Sequence, residues 1–305
     1  MGCKRAGENL RDDNVMVNRS VPAKAGLCGI IGDPIEHSMS PPMHNAAFEK
    51  MGLDCLYLPF RVSKADLGKA IDGMRALNIV GLNVTIPHKV AVMQFLDELD
   101  PLAEKMGAVN TIVNNDGFLK GYNTDATGFL QALLEIGIDP GGKNVVIIGA
   151  GGAARGISFV LAERGSNMVI LNRTVDRARE CAGRISKLFK REASALELNR
   201  ENQAAALSKA EILINATSVG MSPSIDETPV ASDLLSPSLI VCDIVYNPIK
   251  TRLLREAERA GAKTVDGVDM LVWQGALAWE KWTGLKAPFE VMRGAVIEAL
   301  QKHED

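Results

Sequence analysis

A two-domain α/β fold is what the sequence predicts most directly, and three observations support it. The chain has 305 residues, a length that suggests two domains at about 100 to 200 residues per domain. Apolar residues make up 47% of the chain and charged residues 23%, which is typical of a folded globular protein. Short apolar runs typical of buried strands alternate with segments of helical spacing, an order that predicts parallel sheets.

The first predicted domain covers residues 21–126. It follows a polar, charged segment, residues 1–20, which we interpret as a loose extension. Its first strand is the run LCGIIG after Gly26, which ends at a Gly-Asp-Pro turn. The runs that follow predict an α/β unit with parallel strands. Further strands are predicted at 55–60, 80–85 and 111–114, and helices at 65–77 and 89–96.

The second predicted domain covers residues 127–269, with the boundary near Thr127. Its pattern predicts a six-stranded, doubly wound parallel sheet. Two C-terminal helices are predicted to fold back, so that residues 270–305 pack on the first domain. Strands are predicted at 144–148, 168–171, 212–216, 239–243 and 263–265, and helices at 127–136, 177–189, 251–260, 269–282 and 288–301.

The composition excludes several classes of function. The formal net charge is -3, from 34 basic and 37 acidic residues, so no positive field exists to hold nucleic acid or an anionic membrane. The longest uncharged stretch, 212–225, is shorter than the roughly 20 residues of a membrane-spanning helix. Five scattered cysteines without a CxxC spacing argue against a disulfide framework and a zinc site, and they favour the reducing cytoplasm.

A glycine-rich loop, GAGGAA at 149–154, follows the strand predicted at 144–148 and precedes a helical pattern. Gly149 permits a tight turn, Gly151 lets the backbone approach a pyrophosphate, and Ala154 allows close helix–strand packing. The amides and the dipole of the helix N-terminus would face the phosphates. The motif therefore predicts a Rossmann-type dinucleotide-binding domain, and an ordinary glycine-rich turn is the alternative.

The end of the next strand distinguishes the two dinucleotides. An NAD enzyme places an acidic residue about 20 residues after the glycine loop to bind the ribose hydroxyls. Here that place holds Asn172, Arg173 and Thr174, and Arg177 follows four residues after Arg173. Arginines pair with a 2′-phosphate that a carboxylate would repel. The pattern favours NADP, and the alternative is that both arginines are solvated surface charges.

Four polar segments stand where strands of the first domain end: PIEHSMSPPMHN, NVTIPHK, AVNT and GYNTD. Polar groups at strand ends suggest a site. Lys89 follows Thr85 by four residues, behind a proline, and Asp125 follows a turn. Together the two side chains would provide a proton donor and an oriented carboxylate. The alternative for each alone is a solvated lysine and a helix N-cap aspartate.

Other polar residues of these segments suit a small hydroxylated acid. Ser38 and Ser40 alternate about Met39, so in an extended stretch both hydroxyls would grip one carboxylate; alternatively they cap a helix beginning at Pro41. Three asparagines offer neutral donors and acceptors, or form turns: Asn83, Asn110 and Asn123. Three histidines lack the spacing of metal ligands, and we expect no metal: His37, His44 and His88.

Nine strings in register between Gly26 and about Leu300 resemble the shikimate dehydrogenase family. They are GDPIEHSMSP, NVTIPHK, GAVNT, GYNTD, GAGGAAR, NRT, INATSVGM, VYNP and DGVDMLVWQGA. The resemblance implies reversible reduction of 3-dehydroshikimate to shikimate by NADPH, a step towards the aromatic amino acids. It also implies an active cleft between the two domains.

The resemblance assigns residues to the two ligands. Lys89 and Asp125 match the catalytic pair, with Lys89 as the proton donor. The positions that match substrate-binding residues are Ser38, Ser40, Thr85, Lys89, Asn110, Asp125, Tyr246 and Gln274. The positions that match cofactor-binding residues are Gly149, Ala150, Gly151, Gly152, Ala153, Asn172, Arg173, Thr174, Arg177, Ile244 and Gly267.

Some features keep alternatives open. Residues 1–20 have no counterpart in the family, Asp269 stands where a small residue is common, and Trp273 is bulky enough to alter tolerance of quinate. Ser38, where other members carry threonine, favours shikimate. The rivals are a catabolic quinate/shikimate dehydrogenase that also uses NAD, and a sensor that binds such ligands without turnover. The sequence predicts a monomer or a homodimer.

Overall fold

The computed structural model describes residues 23–191 and 193–304. The extension predicted at residues 1–20 lies outside them. The chain forms two compact units: residues 23–124 belong to the first together with Gly275–Lys302, and Asp125–Gln274 form the second. The C-terminal helix, Phe289–Glu304, up to Lys302 and the second half of the helix before it therefore belong to the first unit.

The first unit contains one six-stranded sheet in the order β2-β1-β3-β5-β6-β4. Its strands are β1 (Gly26–Gly32), β2 (Cys55–Arg61), β3 (Gly81–Val84), β4 (Glu98–Leu99), β5 (Thr111–Asn115) and β6 (Phe118–Tyr122). Its helices begin with α1 (Ser40–Lys50), α2 (Leu67–Ala76) and α3 (Pro101–Met106). Strands β1, β2 and β3 are parallel, and the polar segments of interest follow β1 and β3.

The expectation of parallel strands throughout this unit is wrong. Strand β5 pairs antiparallel with both β3 and β6. The turn between β5 and β6 has positive φ at both Asp116 (52°) and Gly117 (95°), the conformation that a two-residue hairpin requires. An Asp-Gly pair between apolar runs is a recognised hairpin signal, so the missed strand β6 was readable from the sequence.

The helix predicted at 89–96 is also wrong, because only a short 3-10 turn forms at Ala91–Phe95. The carbonyl of Lys89 accepts a hydrogen bond from the Val109 amide at 2.8 Å. The Met93 amide donates to the Val90 carbonyl, three residues earlier, at 3.3 Å. This is the hydrogen-bond spacing of a 3-10 turn and not of an α-helix.

Two long helices complete the chain, α9 (Gly267–Thr283) and α10 (Phe289–Glu304). The Trp282 indole N–H donates to the carbonyl of Ile112 on β5 at 3.0 Å. A Cβ built on Gly81 of β3 would lie 2.0 Å from the same indole nitrogen. Glycine at this strand position therefore leaves the space into which Trp282 packs.

The second unit is a doubly wound parallel sheet in the order β12-β11-β10-β7-β8-β9. Its strands are β7 (Asn144–Ile148), β8 (Asn167–Asn172), β9 (Ala193–Glu197), β10 (Ile212–Asn215), β11 (Ile240–Asp243) and β12 (Lys263–Val265). Its helices are α4 (Asp125–Glu135), α5 (Gly152–Glu163), α6 (Val175–Phe189), α7 (Arg200–Leu207) and α8 (Arg252–Arg259), with the start of α9. The predicted fold class is confirmed.

Each face of this sheet carries its own apolar core. Val145 and Ile147 of β7 lie in the cluster that also contains residues of α5 and α6, whereas Val146 and Ile148 lie in the cluster with residues of α8. A strand covered on both faces needs an unbroken apolar run, which is what this segment shows. Strand order reverses between β7 and β10, and such a switch point opens a crevice at the carboxyl ends of the strands.

The cysteines differ in part from expectation. Cys28, Cys181 and Cys242 are buried free thiols, and burial raises the pKa of Cys242 to about 12. Cys55 is disulfide-bonded, although the spacing of the cysteines argued against a disulfide framework. In the part of the chain that the structure describes, no helix is long and apolar enough to cross a membrane.

Candidate active site

The loop between β7 and α5 has the geometry that its glycines predicted. Gly149 has φ +113°, and a Cβ on it would lie 2.9 Å from the carbonyl oxygen of Ala216. Only glycine fits such a conformation without strain. Gly151 is the N-cap of α5 without a side-chain cap, and a Cβ on Gly151 or Gly152 would meet no atom within 4 Å.

The room beside these glycines and the uncapped start of α5 fit a pyrophosphate, because the first-turn amides of a helix bind anions. The alanines of the loop complete the packing. Ala150 and Ala154 are buried, and Ala154 lies in the apolar core between helix and sheet. Ala153 is half-buried in the first turn of α5.

The end of β8 presents two cations and no acid. Arg173, Thr174 and Arg177 are exposed, while the Asn172 amide donates to the Thr174 carbonyl at 2.9 Å and holds the turn. The acid nearest in sequence, Asp176, pairs with Arg179 at 2.8 Å. Two exposed guanidinium groups therefore flank the turn after β8.

A second group of predicted cofactor residues lies at the carboxyl ends of β10 and β11. The Ile244 amide donates to the Asn215 carbonyl at 3.1 Å. A Cβ on Gly267 would lie 2.6 Å from the carbonyl oxygens of Ile244 and Val245, so glycine is required at this close approach. Because Ala216 touches Gly149, these segments and the glycine loop share one edge of the sheet.

Tyr246, Gln274 and Asp125 also belong to the second unit. Tyr246 is half-buried, and burial raises the pKa of its phenol. The Gln274 amide donates to the Leu271 carbonyl at 2.7 Å. Asp125 is the first residue of α4 and is half-buried.

In the first unit, both sequence-based readings of Ser38 and Ser40 need correction. Helix α1 begins at Ser40 after Met39, whose φ of -84° and ψ of -1° are helical rather than extended. No side chain caps the helix. Instead the Ser38 hydroxyl accepts from the Ser40 amide at 3.3 Å. The helix begins one residue earlier than the pattern suggested. Pro41 and Pro42 lie in its first turn, where proline is favoured.

Lys89 lies in a loop after β3 that backbone contacts hold at several points. The Thr85 amide donates to the Ile31 carbonyl at 3.0 Å, and the His88 amide donates to the Thr85 carbonyl at 2.9 Å. The buried ring of His88 lies 2.7 Å from the Val62 carbonyl. Together with the bond between the Lys89 carbonyl and the Val109 amide, these contacts fix the backbone of the loop at the half-buried Lys89.

A buried polar network lies beneath these residues, and sequence reasoning missed most of it. We call it the Tyr57 network, after Tyr57, Asn83, Asn110, Thr111 and Thr124. The Tyr57 hydroxyl donates to the Asn83 side-chain oxygen at 2.7 Å, and the Asn83 amide donates to the Thr111 hydroxyl at 3.2 Å. The Asn110 amide donates to the Thr124 hydroxyl at 3.0 Å. Polar residues inside predicted strands were the available signal.

The Tyr57 network connects two residues predicted to bind one substrate. Burial raises the pKa of Tyr57 well above its ordinary value, opposed by a side-chain hydrogen bond with Ser40. His44 stacks on the Tyr57 ring with centroids 4.3 Å apart, and burial lowers the pKa of His44 to about 3. The neutral network therefore runs from Ser40 to Asn110, and it fixes the spacing between them.

We expect Tyr57→Phe to lower the free energy of unfolding by about 1–3 kcal/mol, because it leaves the buried oxygen of Asn83 without a donor. The same change should raise KM for the substrate. Denaturant titration and steady-state kinetics measure the two effects. Tyr122→Phe is the matched control, since Tyr122 is half-buried and its ring contacts Lys281. An equal loss in both variants would contradict the role of the network.

In residues 23–191 and 193–304, no group of three or more His, Cys, Asp and Glu side chains is arranged to hold a metal ion. The predicted site residues fall into two groups, each of which lies within one unit. In the first unit they are Ser38, Ser40, Thr85, Lys89 and Asn110. In the second they are the glycine loop, the turn after β8, Ile244, Gly267, Tyr246, Gln274 and Asp125.

Comparison with known proteins shows which family the chain belongs to. The model of the shikimate dehydrogenase substrate-binding domain matches residues 30–112, that of shikimate/quinate 5-dehydrogenase matches 133–266, and that of the shikimate 5′-dehydrogenase C-terminal domain matches 267–297. The shikimate dehydrogenase (NADP+) of Methanopyrus kandleri is 53% identical over 288 residues, which cover 93% of this chain and 99% of that protein. The chain belongs to the shikimate dehydrogenase family.

Solved structures of the shikimate dehydrogenase family share the fold. A shikimate dehydrogenase in complex with NADP+ matches with a TM-score of 0.87 and 45% identity, covering 92% of this chain and 98% of that one. A quinate dehydrogenase from Corynebacterium glutamicum in complex with NAD matches with a TM-score of 0.84 and 32% identity, covering 90% and 99%. The family resemblance read from the nine strings is confirmed.

Proposed function

We propose that this protein is an NADP-dependent shikimate dehydrogenase, which reversibly reduces 3-dehydroshikimate to shikimate on the route to chorismate and the aromatic amino acids. The observation that carries the proposal is the 53% identity to a shikimate dehydrogenase (NADP+) over nearly the whole of both chains. The glycine loop at the uncapped start of α5 and the two exposed arginines after β8, Arg173 and Arg177, support NADP as the cofactor.

In the proposed reaction, bound NADPH supplies a hydride to the ketone carbon. Lys89 donates a proton to the ketone oxygen, so that a carbonyl becomes a secondary alcohol, and it takes the proton back in the reverse direction. Asp125 positions a ring hydroxyl of the substrate. The loop contacts that hold Lys89 reduce its freedom before substrate binds, which favours catalysis.

The remaining residues hold and orient the two ligands. Ser38 and Ser40 bind the substrate carboxylate, because hydroxyl groups donate well to an anion. The other proposed substrate contacts are Thr85, Asn110, Tyr246 and Gln274. The pyrophosphate would lie on residues 149–153, the 2′-phosphate on Arg173 and Arg177 with Asn172 and Thr174, and the nicotinamide end beside Ile244 and Gly267.

The deciding experiment measures nicotinamide reduction by the purified protein with shikimate or quinate against NADP+ or NAD+. We expect turnover with shikimate and NADP+, and at least tenfold lower kcat/KM in the other three combinations, since no acid at the end of β8 binds the NAD ribose. Comparable rates with quinate or NAD+ would favour the broader quinate/shikimate type. Binding of shikimate without turnover in any combination would favour a sensor.

The proposal includes a cellular setting. We infer a cytoplasmic enzyme, since NADPH is generated inside the cell, and fractionation of the source cells tests this.

One chain supplies every proposed site residue, so a monomer or a homodimer would carry complete sites. Sedimentation of the purified protein distinguishes the two states.

A further inference from the structure

Asp243, the last residue of β11, is a buried carboxylate to which the mechanism above gives no role. Its side chain is 2% exposed. One oxygen accepts from the Val245 amide at 3.0 Å and from the Asn215 side-chain amide at 2.9 Å. The other accepts from the Thr251 hydroxyl at 2.7 Å. All three donors are neutral, and burying a carboxylate charge without a cation among its hydrogen-bond partners is costly.

The partners of Asp243 organise two loops and a helix start. The Asn215 side-chain oxygen accepts from the Thr217 amide at 3.1 Å and from its hydroxyl at 2.7 Å. Its amide also donates to the Val219 carbonyl at 3.2 Å. Thr251 caps α8 by accepting from the Leu254 amide. A single carboxylate therefore connects the loop after β10, the loop after β11 and the N-terminus of α8.

Both loops border the proposed dinucleotide site. Ala216 and Thr217 are the residues against which Gly149 packs, and a Cβ at Gly149 would lie 2.9 Å from atoms of each. Gly267 packs on the carbonyl groups of Ile244 and Val245. A shift of Asp243 would thus displace the glycine loop on one side and the Ile244 segment on the other.

We propose that Asp243 is a positioning residue that holds the loops after β10 and β11 in the conformation that receives the nicotinamide half of NADP, at a cost in folding stability. The inference rests on the proposed function for the identity of the ligand. A neutral asparagine has nearly the same shape, but its NH2 group cannot accept the hydrogen bond that one carboxylate oxygen accepts. The substitution relieves the buried charge and loosens the loops together.

The pH dependence of stability gives a readout independent of catalysis. Burial raises the pKa of Asp243 to about 6, opposed by its three hydrogen bonds, whereas the unfolded value is about 3.9. Folding therefore favours the protonated form, and this contribution is lost as pH rises from about 4 through 6. The Cys242 thiol interacts with Asp243 and stays protonated in this range, and Lys263 interacts with that thiol.

The test compares Asp243→Asn with the wild type in two measurements. We expect the free energy of unfolding of the variant, minus that of the wild type, to increase as pH rises from 4 to 8. We also expect its dissociation constant for NADP+, measured by calorimetry without substrate, to rise at least tenfold. Asp233→Asn is the matched control, because Asp233 is exposed in the same unit and pairs with Arg200; it should change neither quantity.

A second pair of variants covers the case in which Asp243→Asn fails to fold. Thr251→Val removes one donor and should raise the NADP+ dissociation constant severalfold, while Thr251→Ser keeps the hydroxyl and should restore it. Unchanged NADP+ affinity in both Asp243→Asn and Thr251→Val overturns the proposal. The proposal is also overturned if Asp243→Asn lowers the free energy of unfolding at pH 8 together with the affinity for NADP+, since that result indicates a purely structural role. Wild-type protein that binds NADP+ without oxidising shikimate contradicts the proposed function alone.

Discussion

Lys89→Ala will lower kcat for shikimate oxidation by about 10²- to 10⁴-fold, the usual contribution of a positioned acid or base. KM for shikimate should change much less, because Ser38, Ser40 and Asn110 retain their contacts with the substrate. Pre-steady-state and steady-state kinetics separate the two quantities. A fall in kcat and kcat/KM by the same factor would indicate that Lys89 acts in the transition state.

The control for this experiment is Lys69→Ala. Lys69 is an exposed lysine of the same unit, 84% accessible, and it pairs only with Asp66 three residues earlier. Surface ion pairs of this type contribute little, so both activity and stability should stay at wild-type levels. Undiminished turnover in Lys89→Ala would remove Lys89 from the mechanism and leave the source of the proton open.

Arg173→Ala will weaken the binding of NADP+ and leave the binding of NAD+ nearly unchanged. A hydrogen bond to a charged group contributes about 1.5–3 kcal/mol, so we expect KM for NADP+ to rise about 10- to 150-fold. KM for NAD+ should stay nearly constant, because NAD+ lacks the 2′-phosphate that the guanidinium contacts. Arg177→Ala should act in the same direction, and the double variant should lose most of the preference for NADP+.

Arg164→Ala is the control, since Arg164 is an exposed arginine of the same unit that lies at the C-terminal end of α5 and pairs with Asp139 at 3.2 Å. It should leave the ratio of kcat/KM for the two cofactors unchanged. Salt provides a further check, because the NADP+ advantage should shrink as ionic strength rises. Equal weakening of NADP+ and NAD+ by Arg173→Ala would contradict phosphate recognition and would point to stacking on the adenine.

The second unit was the more predictable half of the fold. Its strand β7, the glycine loop and helix α5 are contiguous, so local pattern and turn chemistry describe them completely. Strand β9, Ala193–Glu197, was missed because an edge strand with half-buried residues lacks the apolar run of a central strand. In the first unit, the hairpin at Asp116 and Gly117 was missed although its turn residues are explicit.

The candidate site was predictable as a set of residues but not as a geometry. Lys89 and Asp125 were first suggested by the polar segments at strand ends, but only the match of strings assigned them as a pair, because no spacing within one segment relates a lysine to a carboxylate 36 positions away. The helical geometry at Met39, which places Ser40 inside α1, ran against the alternating pattern. Asp243 drew no attention, since an aspartate at a strand end is usually solvated and nothing local indicates its burial.

The sequence by itself determined the two-unit α/β class, the dinucleotide loop, the preference for NADP and the family. These depend on contiguous residues whose backbone chemistry is local. Only the tertiary structure decided that β5 and β6 form an antiparallel pair and that the Val109 amide donates a hydrogen bond to the Lys89 carbonyl. It also decided that the hydrogen bonds of the Tyr57 network connect Ser40 to Asn110 and that three neutral donors surround Asp243. Those facts depend on which distant segments meet, and burial then gives each hydrogen bond and each charge an energy that sequence position does not encode.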